Sequence, residues 1–354
     1  MRIAQVAPLF ERVPPLLYGG TERIVAYLTD ELLALGHDVT LFASGDSITR
    51  ARHVAIGRRA LRLDGTVIEE TAPHILMLEQ VAQRAAEFDL IHFHTDYLHF
   101  PLARRLRTPH VTTLHGRLDH AELQPLYREF ADIPVVSVSV DQQRPLPQAN
   151  WAGAVLHGLP ELLYHRGEGR GGYLAFLGRI SPEKRPDRAI EIARRIGIPL
   201  RIAAKVAVAD RQYFREVIEP RFADPLIEFI GEIGEAEKQD FLGNARALLF
   251  PIDWAEPFGM VMIEAMACGT PVVAYRSGAV PEVIEQGVSG FIVDNIEDAV
   301  RAAAAACALD RSRARRAFEE RFTARRMALD YLRVYREVIA GRAGPAAEAT
   351  PLAS

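Results

Sequence analysis

The chain has 354 residues, 49% of them hydrophobic and 25% charged, with a formal charge of -4. That length suits two domains of about 150–200 residues, and the composition is that of a soluble globular protein. The slight acidity gives no basic field for nucleic acid, and no apolar run approaches the ~20 residues of a membrane span. Two cysteines, Cys268 and Cys307, make no disulfide framework, and the chain opens directly on a strand pattern, so a reduced, cytoplasmic protein is expected. Stable membrane insertion is not expected. Peripheral contact with anionic lipid stays open for the arginine run at 311–316, whose simpler reading is a solvated helix face.

Residues 2–7 read as a short apolar strand. A loop of prolines and glycines over 8–20 leads into a helix reaching Gly36, with Ile24, Val25, Leu28, Leu32 and Leu35 on its buried face. The next strand is 38–43. After a less regular stretch a helix is predicted over 74–87, then strands over 89–94, 110–114 and 135–138 with short helices between them. Prolines break 141–148, and 151–160 carries the chain out of the first domain. A glycine-rich charged link at 168–172 opens the second, whose strands are predicted at 173–177, 200–204, 227–230, 247–250, 271–274 and 291–293. A helix over 323–340 follows, and the tail from Gly341 is read as disordered. This alternation predicts an α/β fold of two Rossmann-like, doubly wound domains with a cleft between the carboxyl ends of their sheets.

The informative residues should then lie in loops that follow strands. After the first strand comes Tyr18-Gly19-Gly20-Thr21-Glu22, where Gly19 and Gly20 let backbone amides approach a ligand at a helix N-terminus. Taken alone, a turn capped by Thr21 is the simpler explanation. His92, His94, His99 and His115 gather after two neighbouring strands. No cysteine or carboxylate set completes a familiar ligand spacing, so no metal site is expected. The strand at 173–177 runs into Gly178-Arg179-Ile180-Ser181-Pro182-Glu183-Lys184-Arg185-Pro186. Two cations five residues apart, Arg179 and Lys184, can converge there on a diphosphate.

Residues 250–294 read FPIDWAEPFGMVMIEAMACGTPVVAYRSGAVPEVIEQGVSGFIVD: strand, loop, helix, strand, turn, helix. Glu256 lies in the loop and Glu264 about one and a half turns into the helix. Backbone N–H groups near Phe258, Gly259, Met260 and Val261 form a helix N-terminus suited to phosphate or sugar oxygens. A carboxylate at Glu264 is able to take both hydroxyls of a ribose.

This segment resembles family 4 of the retaining glycosyltransferases (glycosyl transferases group 1, GT-B fold), whose signature is this pair of glutamates within EPFG…EAMACGTPVV…G…PE. The resemblance extends over most of 1–335 and is densest from 172 to 294. It implies an acceptor-side domain over 1–160, a nucleotide-sugar domain over 161–322 and a helix over 323–340 packing back toward the first. By the same resemblance, which alone reverses the preference for a plain turn, Gly19 and Gly20 lie against the donor, His115 sits beside the transferred sugar, and Arg179 and Lys184 hold the pyrophosphate. Ile233 lies near the base, Glu256 orients the sugar, and Glu264 anchors the ribose. His94 or Asp96 as an acceptor contact stays open.

The implied reaction is metal-independent, needs no cofactor and retains the anomeric configuration. It moves a hexose from a UDP- or GDP-sugar, UDP-glucose-like by preference, to a carbohydrate or lipid-linked hydroxyl. A nucleotide-sugar epimerase of the same architecture is the nearest alternative, and a non-catalytic sugar-binding protein a more distant one. A nicotinamide dehydrogenase would need G-x-G-x-x-G after the first strand, which 8–20 does not supply.

Overall fold

The structure, a computed structural model, describes residues 1–17 and 19–341; Tyr18 and the tail beyond Gly341 lie outside the described residues. The chain divides into two compact units, one of Met1–Gly158 together with the segment from Ala324, the other of Leu159–Thr323.

The first unit starts with β1 (Arg2–Val6), α1 (Gly20–Ala34), β2 (Asp38–Ser44) and β3 (Arg52–Ile56). It continues through α2 (Thr71–Gln83), β4 (Leu90–Phe93), α3 (Phe100–Ala103) and β5 (His110–Thr113). Then come α4 (Leu123–Glu129), β6 (Pro134–Ser137) and β7 (Asn150–Ala154). The strands form one parallel sheet in the order β3-β2-β1-β4-β5-β6-β7. Helices cover both faces of such a sheet, which is why its central strands read as nearly continuous apolar runs. Ile3, Ala4 and Val6 are fully buried, and so is Gln5 among them.

Two strands escaped the sequence reading, and both are edges of this sheet. β3 carries no apolar run because it is only partly covered. β7 occupies a stretch read as the exit from the first domain; its Asn, Gly and Ala dilute any strand pattern, yet Trp151 is buried and the pairing with β6 is continuous apart from one bulge.

The second unit runs through β8 (Leu174–Arg179), α5 (Pro186–Ile196), β9 (Leu200–Lys205), α6 (Arg211–Tyr213) and β10 (Ile227–Gly231). It continues with α7 (Glu235–Asn244), β11 (Ala247–Phe250), α8 (Met260–Ala267) and β12 (Val272–Tyr275). α9 (Val280–Val283), β13 (Gly290–Val293), α10 (Ile296–Ala306) and α11 (Arg311–Arg321) complete it. Its sheet is parallel throughout, ordered β10-β9-β8-β11-β12-β13. α12 (Ala324–Ile339) then returns to the first unit and packs against α1.

Two local expectations fail in this unit. The stretch 168–172 is no free link. Gly167, Gly169 and Gly171 donate to Cys268, Gly243 and Asn244 carbonyls at 2.9–3.0 Å, so the segment is stitched into the unit. Nor is the arginine run simply solvated. Arg311 reaches the carbonyls of Gly167, Ala245 and Gly243 and the Thr270 hydroxyl, while Arg315 caps the Tyr164 and Ala267 carbonyls. An arginine has five donors in a rigid fork, which lets one side chain satisfy several carbonyls left by loops. Residue type alone does not reveal that.

Candidate functional site

In the second sheet the strand order reverses between the adjacent strands β8 and β11. Helices leave those strands on opposite faces, so their loops part at the carboxyl edge, where open α/β sheets bind ligands. Arg179 ends β8. Its guanidinium pairs with Glu183 at 2.5 Å and lies 3.3 Å from Asp210. Lys184, five residues on, ion-pairs with Glu256 of the loop after β11. The same ammonium stands 5.0 Å from the Trp254 ring centre and 5.7 Å from that of Phe250. The structure thus brings Lys184 and Glu256 into direct contact across 72 residues of sequence.

The two loops are laced together beyond that pair. The Asp253 N–H donates to the Glu183 carbonyl at 2.8 Å, and Arg185 and Arg188 reach the Asp253 carboxylate at 2.9 and 3.2 Å. Arg185 adopts a left-handed backbone, φ 52°, which costs an ordinary residue about 1–2 kcal/mol. Its guanidinium also grips Asp187 at 2.7 Å, and that hydrogen bond holds it above the usual arginine range. Ion pairing is what offsets the strained turn that presents Lys184. Asp253, Arg185 and Asp187 carried no signal in the sequence beyond ordinary charged loops.

Glu256 is buttressed from a third loop, the one after β12. Ala279 N–H donates to the Glu256 carbonyl at 3.0 Å, and Ser277 Oγ to that of Trp254 at 2.6 Å. The backbones approach so closely that a Cβ on Gly278 would lie 2.3 Å from the Glu256 carbonyl oxygen. The latter half of the signature segment therefore scaffolds the former half. Gly259, at φ 83°, caps α8, and Met260 and Val261 form its half-buried first turn. Phe258 points its ring into the core, 6.3 Å edge-on from Phe322, so a ligand would meet its backbone instead.

Glu264 lies one turn further along α8 and is nearly out of solvent. Its Oε1 accepts a hydrogen bond from Lys238 Nζ of α7 at 2.6 Å, and Lys238 is 3.5 Å from Glu235. Each glutamate of the pair thus has its own lysine. Lys238 was not legible, because Glu-x-x-Lys on a helix reads as an ordinary surface ion pair. Ile233, half-buried after the bulge that ends β10, lines a cavity of about 690 Å³ with Tyr173, Arg201, Glu228, Ile230 and Phe241.

In the first unit Gly19 precedes α1 with φ 154°, and a Cβ there would meet Pro15 Cβ at 2.8 Å. Gly20 opens the helix, and a Cβ on it would face open space. Behind them Glu22 is buried, and burial pushes its carboxyl up to about 7. Its Oε1 accepts the Glu11 N–H at 3.3 Å. The helix carries no side-chain N-cap, so the turn reading that relied on Thr21 fails.

His115, just past β5, places Nε2 2.9 Å from His94 Nδ1 and stacks on His157 at 5.3 Å between ring centres. Desolvation in this cluster lowers His115 to about 3. His94 is buried with both ring nitrogens engaged, by His115 and Gln5. Asp96, three residues past β4, has a left-handed φ of 48°. Among the described residues no group of three His, Cys, Asp or Glu side chains is arranged to hold a metal ion.

A pair of parallel Rossmann-like sheets with this order, one bearing a cation loop against a glutamate loop at its switch point, is the architecture of the GT-B glycosyltransferases. Residues 167–324 match the family described as glycosyl transferases group 1, and residues 18–140 match glycosyltransferase family 4. The chain belongs to the family 4-like glycosyltransferases.

Among curated relatives, the D-inositol 3-phosphate glycosyltransferase of Mycolicibacterium smegmatis is 33% identical over 34% of this chain and 29% of its own length. That of Saccharomonospora viridis is 32% identical over 64% of this chain and 55% of its own length. The chain thus spans less than two thirds of these relatives. A glycosyltransferase involved in avilamycin A biosynthesis superposes with a TM-score of 0.74 at 25% identity, covering 96% of this chain and 98% of that one. The sucrose-phosphate synthase of Thermosynechococcus elongatus gives 0.77 at 18%, covering 96% and 100%, a likeness of fold. No helix among the described residues is long and apolar enough to cross a membrane.

Proposed function

We propose that this protein transfers a hexose from a nucleoside-diphosphate sugar to a hydroxyl acceptor, with retention of anomeric configuration. The observation that carries the reading is the contact of Lys184 with Glu256, made between loops at the switch point of the second unit's sheet. A diphosphate is met there by Arg179 and Lys184, and the hydroxyls of the sugar by Glu256. Glu264 takes the ribose hydroxyls with the carboxylate oxygen that Lys238 does not hold. Gly19, Gly20 and His115 are assigned to the sugar by the family resemblance. The backbones of Phe258, Gly259, Met260 and Val261 face the donor's oxygens, and Ile233 the base.

As the bond from anomeric carbon to diphosphate oxygen lengthens, negative charge grows on the leaving oxygen and positive character on the ring. Fixed cations gain most at that point. The acceptor oxygen bonds to the anomeric carbon on the face the diphosphate leaves, and its proton passes to that diphosphate. Charge neutralisation by Arg179 and Lys184 makes the step independent of a divalent metal. The donor is UDP-glucose-like, the acceptor a carbohydrate or lipid-linked hydroxyl, and the protein works in the cytoplasm.

Thermal unfolding with UDP, GDP and ADP and their sugars, followed by a transfer or donor-hydrolysis assay in excess chelator, tests this. A ligand at 100 times its Kd adds about 2.7 kcal/mol to stability. UDP and UDP-hexose are expected to raise Tm, with sugar release unaffected by chelator. No Tm response to any nucleotide sugar would overturn the reading, and activity restored only by added manganese would overturn its metal independence.

A further inference from the structure

Gln5 is a fully buried amide in the central strand of a parallel sheet, a place where a polar side chain is expensive unless every group is bonded. Its partners are specific. Gln5 Nε2 donates to Tyr335 Oη at 3.2 Å, and Gln5 Oε1 lies 2.8 Å from His94 Nε2. Tyr335 Oη is also 2.7 Å from His92 Nδ1, and His92 Nε2 is 2.7 Å from Thr113 Oγ1. Tyr335 comes from α12, so the helix that returns to the first unit closes the network.

An amide oxygen only accepts, so His94 Nε2 must carry the proton. His92, His94 and His115 are held neutral, since burial lowers all three well under the ordinary histidine range. A neutral ring has one N–H, so His94 Nδ1 is a bare acceptor, and at 2.9 Å it accepts the hydrogen bond donated by His115 Nε2–H. At the other end the Tyr335 hydroxyl, having accepted from Gln5, donates to His92 Nδ1, and His92 Nε2–H donates to Thr113. Turning the Gln5 amide over would reverse every one of these bonds. The amide is therefore the element that decides the direction of the whole chain.

We propose that Gln5, His94 and Tyr335 are positioning residues that fix His115 in its Nε2–H tautomer, so that its Nδ1 is presented as a hydrogen-bond acceptor. A ring in this form takes a hydrogen bond from a sugar hydroxyl and offers none to a carbonyl or phosphate oxygen. The consequence for substrate choice rests on the function proposed above: a donor sugar with its hydroxyl replaced by hydrogen or by a ketone oxygen would lose this contact. Selection of this kind is strong because the unmatched polar group stays unpaired in a site built to bond it.

Ring-nitrogen NMR of the full chain labelled with [15N]histidine reads the tautomer directly and needs no substrate, so it separates this proposal from the function proposed above. The expected result is His115, assigned by His115→Asn, with Nε2 protonated and Nδ1 bare. Gln5→Glu, whose carboxylate still accepts from His94, keeps that pattern. Gln5→Leu and Tyr335→Phe shift it toward a mixture of tautomers. At saturating donor those two variants turn over about tenfold more slowly with unchanged affinity for free nucleotide. A His115 protonated at Nδ1 in the unmodified protein would overturn the proposal. So would a tautomer unmoved in both Gln5→Leu and Tyr335→Phe, whatever their activity.

Discussion

Glu264 Oε1 and Lys238 Nζ lie 2.6 Å apart, joining α8 to α7 with side chains only 5% and 13% exposed. Removing one partner of such a pair strands a charge away from water, at roughly 3–5 kcal/mol, whereas removing both is far milder. Lys238→Met should therefore unfold at markedly lower denaturant, and Lys238→Met with Glu264→Gln should recover most of that loss. The same double variant should still bind free nucleotide at least tenfold more weakly, because a charge-assisted hydrogen bond is worth about 1.5–3 kcal/mol. Denaturant titration and calorimetry on the two variants read the effects apart. Native nucleotide affinity in Glu264→Ala would remove Glu264 from the ribose role.

Lys184→Ala and Arg179→Ala should each slow the chemical step more than they weaken donor binding. Loss of one preorganised donor to a developing charge typically costs a hundredfold or more in turnover. Each change also strands carboxylates: Lys184→Ala leaves Glu256 without its lysine, and Arg179→Ala leaves Glu183 and Asp210 without their arginine. Single-turnover rates at saturating donor decide it. Native rates in both variants would reduce these cations to binding groups.

Gly259→Ala and Gly20→Ala should part company. Alanine at 259 meets a left-handed backbone and a Met262 Cε only 2.8 Å away, so stability should fall by about 1–2 kcal/mol. Alanine at 20 meets nothing of the protein within 4 Å. Its Tm should be native while donor affinity drops, if a ligand passes close to that backbone. Equal Tm losses in the two variants would argue that Gly20 is merely a turn residue.

Acid should destabilise the fold through its histidines. His92, His94, His99, His115 and His157 all have lowered folded-state values caused first by burial. Below the unfolded value near 6.5 the unfolded chain binds more protons, so stability falls as pH drops through that point and continues falling toward about 3 for His115. Unfolding free energy followed from pH 8 to pH 4 should show this decline. His115→Asn should make it shallower.

Glu22 works in the opposite sense. Its folded value, raised from 4.5 to about 7 by burial, means the native state holds a proton that the unfolded chain releases first. Its contribution is fully present below about 4.5 and is lost as pH rises to about 7. Glu22→Gln keeps the acceptor for the Glu11 N–H and removes the titration. Its Tm should exceed that of the unmodified protein at pH 8 and match it at pH 4. A Tm difference that did not vary with pH would refute the assignment.

The amino-acid sequence by itself determined the fold class and singled out the candidate site residues. Buried parallel strands must be apolar, and their carboxyl-end loops must carry the polar chemistry, so both leave periodic or local marks. Arg179 ends β8, Lys184 lies in its loop, Glu256 in the loop after β11 and Glu264 on α8 beyond it, where motif and spacing marked them as candidates. What only the tertiary structure decided is how these side chains are held. Lys184 against Glu256, Lys238 beneath Glu264, Asp253 under Arg185 and Gln5 behind His94 are pairings over 26 to 89 residues of sequence. Edge strands β3 and β7 were missed for a related reason. An element covered on one side by a neighbour needs no apolar run of its own, and a hydrogen bond across the sheet imposes no pattern along the chain. Chain proximity records what each residue must be. Partners are chosen by the sheet order, and that is written nowhere in a local window.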